Sequence, residues 1–180
     1  MPRLLALVLS VLLPALCIAQ DSARISVERL QDGIRVEGEV EVHASRAVAW
    51  ETLTDYESWV RFIPGLQVSQ IVSRAPLRIA QRSVLPWLPG IPMVVMADVV
   101  ETPKERVSFS KIQGNLLFLE GAWRISGKDG ALRLGYRAEV IPGFPLPPNL
   151  SIDAVKADTR AKVEAMAREI ARRGRAGIRE

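Results

Sequence analysis

The stretch that most constrains this chain is Trp50–Gly65, WETLTDYESWVRFIPG. Ser45 can cap a helix over Arg46 to Leu53, and Asp55 can cap a second. In that second segment Tyr56, Trp59, Val60 and Ile63 fall at i, i+3, i+4 and i+7, one apolar helical face. Pro64-Gly65 then stops it. A strand lies before this pair of short helices and a run of hairpin signals after it. Few folds place two short capped helices between a first strand and a series of hairpins.

The strand before the helices alternates strictly. Ile34, Val36, Gly38, Val40, Val42 and Ala44 face one way, and Arg35, Glu37, Glu39, Glu41 and His43 the other, which is a half-buried strand with a wet outer face. Gln31-Asp32-Gly33 turns the chain into it, and Asp21 to Arg29 is a polar approach whose weak alternation allows a strand segment. After the helices the pattern predicts strands over Leu66–Ser73, Leu77–Leu85, Met93–Val100, Arg106–Ile112, Leu116–Ser126 and Ala131–Ile141. Gly127 to Gly130 is the clearest hairpin turn. Leu77, Ile79 and Leu85 share a face with Gln81 and Ser83. Leu117, Leu119, Trp123 and Ile125 share another, with Gly121 between them, and Leu132, Leu134, Tyr136, Ala138 and Val140 a third. Met93–Val100 is apolar on both faces, which leaves Asp98 without a side.

The last element is one long helix. Ile152, Val155, Thr159, Val163, Met166 and Ile170 are spaced 3, 4, 4, 3 and 4. That is a single stripe about five turns long at ~3.6 residues per turn. Ser151 is its candidate cap and Gly174 its expected end. If the strands after the helices form an antiparallel meander, Pro86–Pro92, Gln113–Leu117 and Pro142–Pro148 lie along one edge of the sheet. These segments carry Trp87, Leu88, Ile91, Leu116, Leu117, Phe144 and Leu146. The turns at the opposite edge are mostly polar. One rim is greasy, and exposed aromatics on proline-rich loops ask for a reason.

Two further features bound the chain's class. Met1-Pro2-Arg3, the apolar run Leu4–Leu13 and Cys17-Ile18-Ala19 have the order of a secretory signal peptide over residues 1–19, with a mature chain from Gln20 or Asp21 and a periplasmic address. The apolar run is short of the ~20 residues a spanning helix needs. Cys17 is the only cysteine and leaves with that segment, which excludes disulfides, thiolate metal sites and cysteine nucleophiles from the mature chain. The expected divisions are a single domain over 24–173, large enough at 180 residues and 48% apolar to bury a core, and a basic tail over 174–180.

The net charge of +4 is scattered among acids, with no basic stripe laced with aromatics, so no nucleic-acid partner is expected. Arg168, Arg172, Arg173, Arg175 and Arg179 cluster at the end of the last helix. There they complement its dipole, with anionic lipid as the alternative partner. His43 is the single histidine and lies on a wet face, so no transition-metal site or cofactor is expected. Glu37, Glu39 and Glu41 read as a solvated face. Nucleophile-elbow, zincin, phosphate-loop and dinucleotide motifs are absent.

Trp50, Thr54-Asp55-Tyr56, Phe62-Ile63-Pro64-Gly65, Gly121-Ala122-Trp123 and Tyr136 together resemble the polyketide cyclase/dehydrase and coenzyme Q-binding family of START-type (SRPBCC) proteins. The resemblance runs from about Ile34 to Arg173. It implies an α+β helix-grip fold: a curved antiparallel sheet of about seven strands, two short helices after the first strand, and a long C-terminal helix across a hydrophobic cavity. The family binds lipids, quinones, sterols or polyketides, and a minority are enzymes. On this basis Gln81, Ser83, Trp123 and Tyr136 become candidate ligand contacts and the greasy rim the candidate cavity mouth, while Trp50, Tyr56 and Trp59 are core anchors. The chain has ten Phe, Trp and Tyr residues, few for filling such an interior. The expected function is non-catalytic binding of a hydrophobic small molecule, with transient membrane contact as a further expectation. A cyclase or dehydrase using Tyr136 or Asp98, and an interaction module docking a membrane or a protein through the rim, are the alternatives.

Overall fold

A computed structural model describes residues 22–146 and 150–176. The expected signal peptide, the Pro147-Pro148-Asn149 lead-in and residues 177–180 of the basic tail lie outside them. The order is β1 (Arg24–Arg29), β2 (Ile34–Val42), α1 (Arg46–Thr54), a 3-10 helix (Tyr56–Arg61), β3 (Leu66–Arg74), β4 (Leu77–Leu85), β5 (Leu88–Thr102), β6 (Arg106–Gly114), β7 (Leu116–Lys128), β8 (Ala131–Pro142) and α2 (Ile152–Ala176). One antiparallel sheet runs β1-β2-β8-β7-β6-β5-β4-β3. The meander from β3 to β8 is as the sequence predicts. The strand count is eight, because the weakly alternating approach pairs fully with β2, from Arg24 opposite Glu39 to Arg29 opposite Ile34.

Local chemistry shapes the helical insertion. Ser45 caps α1 by accepting from the Val48 amide. Asp55 makes no side-chain cap for the next segment; its carboxylate instead accepts from Arg173 of α2 at 2.9 Å. That segment is a 3-10 helix with ~3 residues per turn. Tyr56 and Trp59 therefore stack on the core side, 5.5 Å between ring centroids, while Val60 turns towards solvent.

Three expected strand details change. The loop expected over Pro86–Pro92 is a tight turn at Pro86-Trp87, and β5 begins at Leu88. Residues 88–92 of β5 extend past the end of β6, whose pairing starts at Val95 opposite Gly114. Pro89 and Pro92 can sit there because no β6 ladder bond needs their missing donors. In β7 an irregularity between Leu116 and Phe118 reverses the pleat. Leu116 is buried and Leu117 is 72% exposed, so Leu117 does not share the face of Leu119, Trp123 and Ile125. In β5 the inward residues are Val95, Ala97 and Val99, and Asp98 points outward, where Arg78 holds it at 2.7 Å.

Helix α2 lies across the sheet with Val163, Met166, Ala167 and Ile170 wholly buried. Gly38 of β2 admits it: a Cβ there would stand 2.8 Å from Ile25 and 3.0 Å from Val163. The helix continues through Gly174 to Ala176. Three members of its Arg cluster pair on the helix itself, Arg168 with Glu164 and Arg172 and Arg173 with a shared Glu169. The two edges of the sheet are closed differently. At the polar edge the Arg46 guanidinium donates to the carbonyls of Lys104, Ile125 and Gly127. At the apolar edge Asn115 gathers the loops: its side chain bonds the Val94 amide and the Pro92 carbonyl, and its carbonyl accepts from Gly143.

Candidate functional site

The buried apolar side chains form two clusters. The larger holds α1, the 3-10 helix and the C-terminal half of α2 against the sheet. The smaller gathers Ile34, Val36, Val95, Leu116, Leu119, Ala138, Leu150 and Val155 near the apolar rim. Helix α2 joins the larger cluster from Val163 onward and the smaller through Val155. Between these points the sheet curves away, and a cavity of about 200 Å3 is lined from both clusters. Its volume is below the ~300–1,000 Å3 of pockets that enclose drug-sized ligands, so it suits a compact molecule or one end of a longer one.

Gln81, Ser83, Trp123 and Tyr136 all line this cavity. Gln81 donates to the Ser69 hydroxyl at 3.1 Å. Trp123 and Tyr136 touch across β7 and β8, ring centroids 4.5 Å apart, and Phe109 stacks with Tyr136 at 6.5 Å. Gly121 makes that stack possible, because Phe109 of β6 folds over its Cα; a Cβ there would stand 2.4 Å from the ring. Burial, helped by the charge of Asp158, pushes the Tyr136 hydroxyl up to about 12, so it is a donor at neutral pH.

The rim residues divide. Trp87 lines the cavity and is half-buried, its indole N–H donating to Asp158 at 3.2 Å. Leu88 and Leu116 are buried at 3% exposure each and belong to the core. Leu146 packs on the smaller cluster, and Phe144 is half-buried. Ile91 and Leu117 are exposed, joined at the same end of the sheet by Val94 and Ile112.

Sequence reasoning missed the charged part of the lining. Asp158, Thr159 and Lys162 of α2 face the cavity, and Lys162 bonds Asp158 at 2.6 Å. Val155, Asp158, Thr159, Lys162 and Val163 are spaced i, i+3, i+4, i+7 and i+8, so the helical period alone places them on one face. A charged pair inside an otherwise apolar stripe was the available signal. Tyr56 and Trp59 also line the cavity besides anchoring the insertion, and the Tyr56 hydroxyl donates to Glu101 at 2.6 Å. Trp50 packs on the core without lining it. Asp98 lies on the far face of the sheet, which removes it as an acid or base in this cavity. His43 is exposed, its Nδ1 2.8 Å from the Gly130 carbonyl. Among the described residues no group of side chains is arranged to hold a metal ion, and no helix is long and apolar enough to cross a membrane.

Two larger grooves, of about 680 and 440 Å3, cross the outer face of the sheet and share Arg106 and Arg137. They are shallow, open to solvent and lined by mixed charges. The apolar cavity under α2, less open than either groove, is the candidate site.

A curved antiparallel sheet gripping a C-terminal helix over an apolar cavity defines the helix-grip class of START-like proteins. The chain belongs to the polyketide cyclase / dehydrase and lipid transport family, whose profile matches residues 42–167. Similar solved structures include the STAR-related lipid transfer protein from Xanthomonas axonopodis (TM-score 0.67, 14% identity, 83% of this chain and 94% of that one). A protein from Thermus thermophilus superposes with TM-score 0.65 at 17% identity, over 79% of this chain and 98% of that one. The Zhui aromatase/cyclase from a Streptomyces species superposes with TM-score 0.64 at 16% identity, over 77% and 94%. At these identities the likeness is one of fold. No curated protein matches the chain in sequence.

Proposed function

We propose that this protein binds a hydrophobic small molecule, of the lipid, quinone or polyketide kind, in the cavity under α2 and carries it without transforming it. The observation that carries this reading is the state of the charged groups inside. The cavity wall is mostly apolar, and its two charged side chains, Asp158 and Lys162, are bonded to each other. General acid–base chemistry favours a group whose pKa is near the working pH. Tyr136, at about 12, is far from it. The family includes both lipid transport and cyclase/dehydrase members, and a lipid transfer protein and an aromatase/cyclase share the fold. The hydroxyls in the cavity are what the cyclase reading has in its favour; they serve equally to orient a bound ligand.

Two further elements belong to this proposal. Export after cleavage behind Ala19 is supported by the basic, apolar and small-residue order of residues 1–19. Brief contact with a membrane, to collect or deliver the ligand, is supported by the exposed side chains Ile91, Val94, Ile112 and Leu117 at one end of the sheet.

The test is titration with a short-chain quinone, followed by tryptophan fluorescence, since Trp59, Trp87 and Trp123 line the cavity. Saturable binding that is lost on filling the cavity with Ala97→Leu, in a variant that still melts cooperatively, is the expected result. Binding indifferent to that substitution would place the ligand elsewhere, and turnover of a polyketide chain would restore the enzymatic reading.

A further inference from the structure

We propose that the cavity selects neutral, oxygen-bearing hydrophobic molecules, such as alcohols, esters, phenols or quinones, and discriminates against carboxylate amphiphiles such as free fatty-acid anions. This rests on the ligand-binding reading above and narrows its substrate class.

Asp158 and Lys162 are the only charged residues lining the cavity among the described residues. They bond at 2.6 Å one helical turn apart, and their side chains are 9% and 24% exposed. Trp87 donates to the same Asp158 oxygen. The carboxylate is thereby fixed from two sides, and the Lys162 ammonium is committed to it. An entering carboxylate would find no free cation. It would have to share Lys162 with Asp158, setting two anions against one ammonium in a partly buried site. Taking a second anion out of water with no second cation to meet it is unfavourable.

The uncharged groups that remain open are three hydroxyls and the side-chain carbonyl of Gln81. Ser83, Tyr136 and Thr159 line the cavity and make no side-chain hydrogen bond to a described residue. Yet among the described residues no fully buried side-chain oxygen lacks a partner. Their oxygens therefore keep contact with the cavity space. A hydroxyl can donate and accept, and Tyr136 stays protonated at neutral pH. Such groups match carbonyl, ether and hydroxyl oxygens. They give an anion some hydrogen bonds but none of the charge compensation it needs on leaving water.

The experiment compares decanol, methyl decanoate and decanoic acid at one chain length, by tryptophan fluorescence on the full chain. At neutral pH the alcohol and the ester are expected to bind at least about tenfold more tightly than the acid, whose affinity recovers as it protonates below pH ~4. Asp158→Asn frees Lys162 and should raise the ratio of decanoate to decanol affinity by about tenfold. The wild-type comparison decides the matter even where the variant fails to fold. Decanoate binding as tightly as decanol to the wild type would overturn the inference while leaving the ligand-binding reading intact. Binding of none of the three would overturn both.

Discussion

Trp87 Nε1 donates to Asp158 Oδ2 at 3.2 Å, joining the β4–β5 turn to the second turn of α2. The bond joins two cavity-lining residues 71 apart in the chain. It also ties that turn to the one acidic side chain in the cavity wall among the described residues.

If this bond is a latch, removing its donor should change rates more than affinity. Trp87→Phe keeps an aromatic ring and loses the N–H, at a cost of about 1 kcal/mol in stability. Stopped-flow binding of a short-chain quinone should then show uptake and release both faster, by similar factors, with Kd little changed. Unaltered rates beside the same stability loss would make Trp87 a packing residue only.

Gly121 should tolerate no side chain. A Cβ at this position would stand 2.4 Å from the Phe109 ring and 2.5 Å from the Arg137 carbonyl. Gly121→Ala must displace the ring from Tyr136, with a loss of about 1–3 kcal/mol of the kind overpacking causes. Thermal melts measure it. Phe109→Ala in the same chain should remove the ring clash and leave only the strain against the carbonyl, so the two changes together should cost less than their sum.

Met166 is fully buried where α2 crosses the sheet. Met166→Asp would put an uncompensated carboxylate in that seam, at a cost of several kcal/mol. Denaturant unfolding should show a variant folded marginally or not at all. A melting temperature within a degree or two of the wild type would mean that the stripe does not face the core.

The helix end carries a pH signature. Hydrogen bonds from Arg172 and then Arg173, working against partial burial, hold the Glu169 carboxyl at about 2, below its ordinary 4.5. A depressed folded pKa means the contribution is complete above about pH 4.5 and is lost as pH falls towards 2. Arg172 is 63% exposed, so solvent screening limits the effect to about 1 kcal/mol or less. Glu169→Gln should be less stable than the wild type at neutral pH, and chemical unfolding from pH 6 downward should show the gap closing. A gap constant over that range would assign the loss to something other than the ionised carboxylate.

How far the sequence could be read follows from which signals are periodic. The alternation from Ile34 to Val42 fixes which face of β2 is inward, and the 3- and 4-residue spacings from Val155 to Ile170 fix the buried face of α2. The same parity places Gln81, Ser83, Trp123 and Tyr136 on the cavity wall. What failed were local departures from period. The irregularity at Leu116–Phe118 turns Leu117 outward, and the 3-10 winding at Tyr56–Arg61 turns Val60 outward. Neither leaves a composition mark. Asp158 and Lys162 were legible in spacing but hidden by chemistry, since charged side chains are expected outside unless a partner is known. Their partners are each other and Trp87, and only the fold brings Trp87 to them.

The proposed occupant of the space under α2 is a hydrophobic ligand. Gentle native mass spectrometry of the protein purified from its own host tests it most directly. The account predicts a complex of one chain with one small hydrophobic molecule, released on activation and identifiable as a neutral, oxygen-bearing compound. A chain that appears only at its bare polypeptide mass, under conditions that preserve a quinone complex formed by titration, would contradict it.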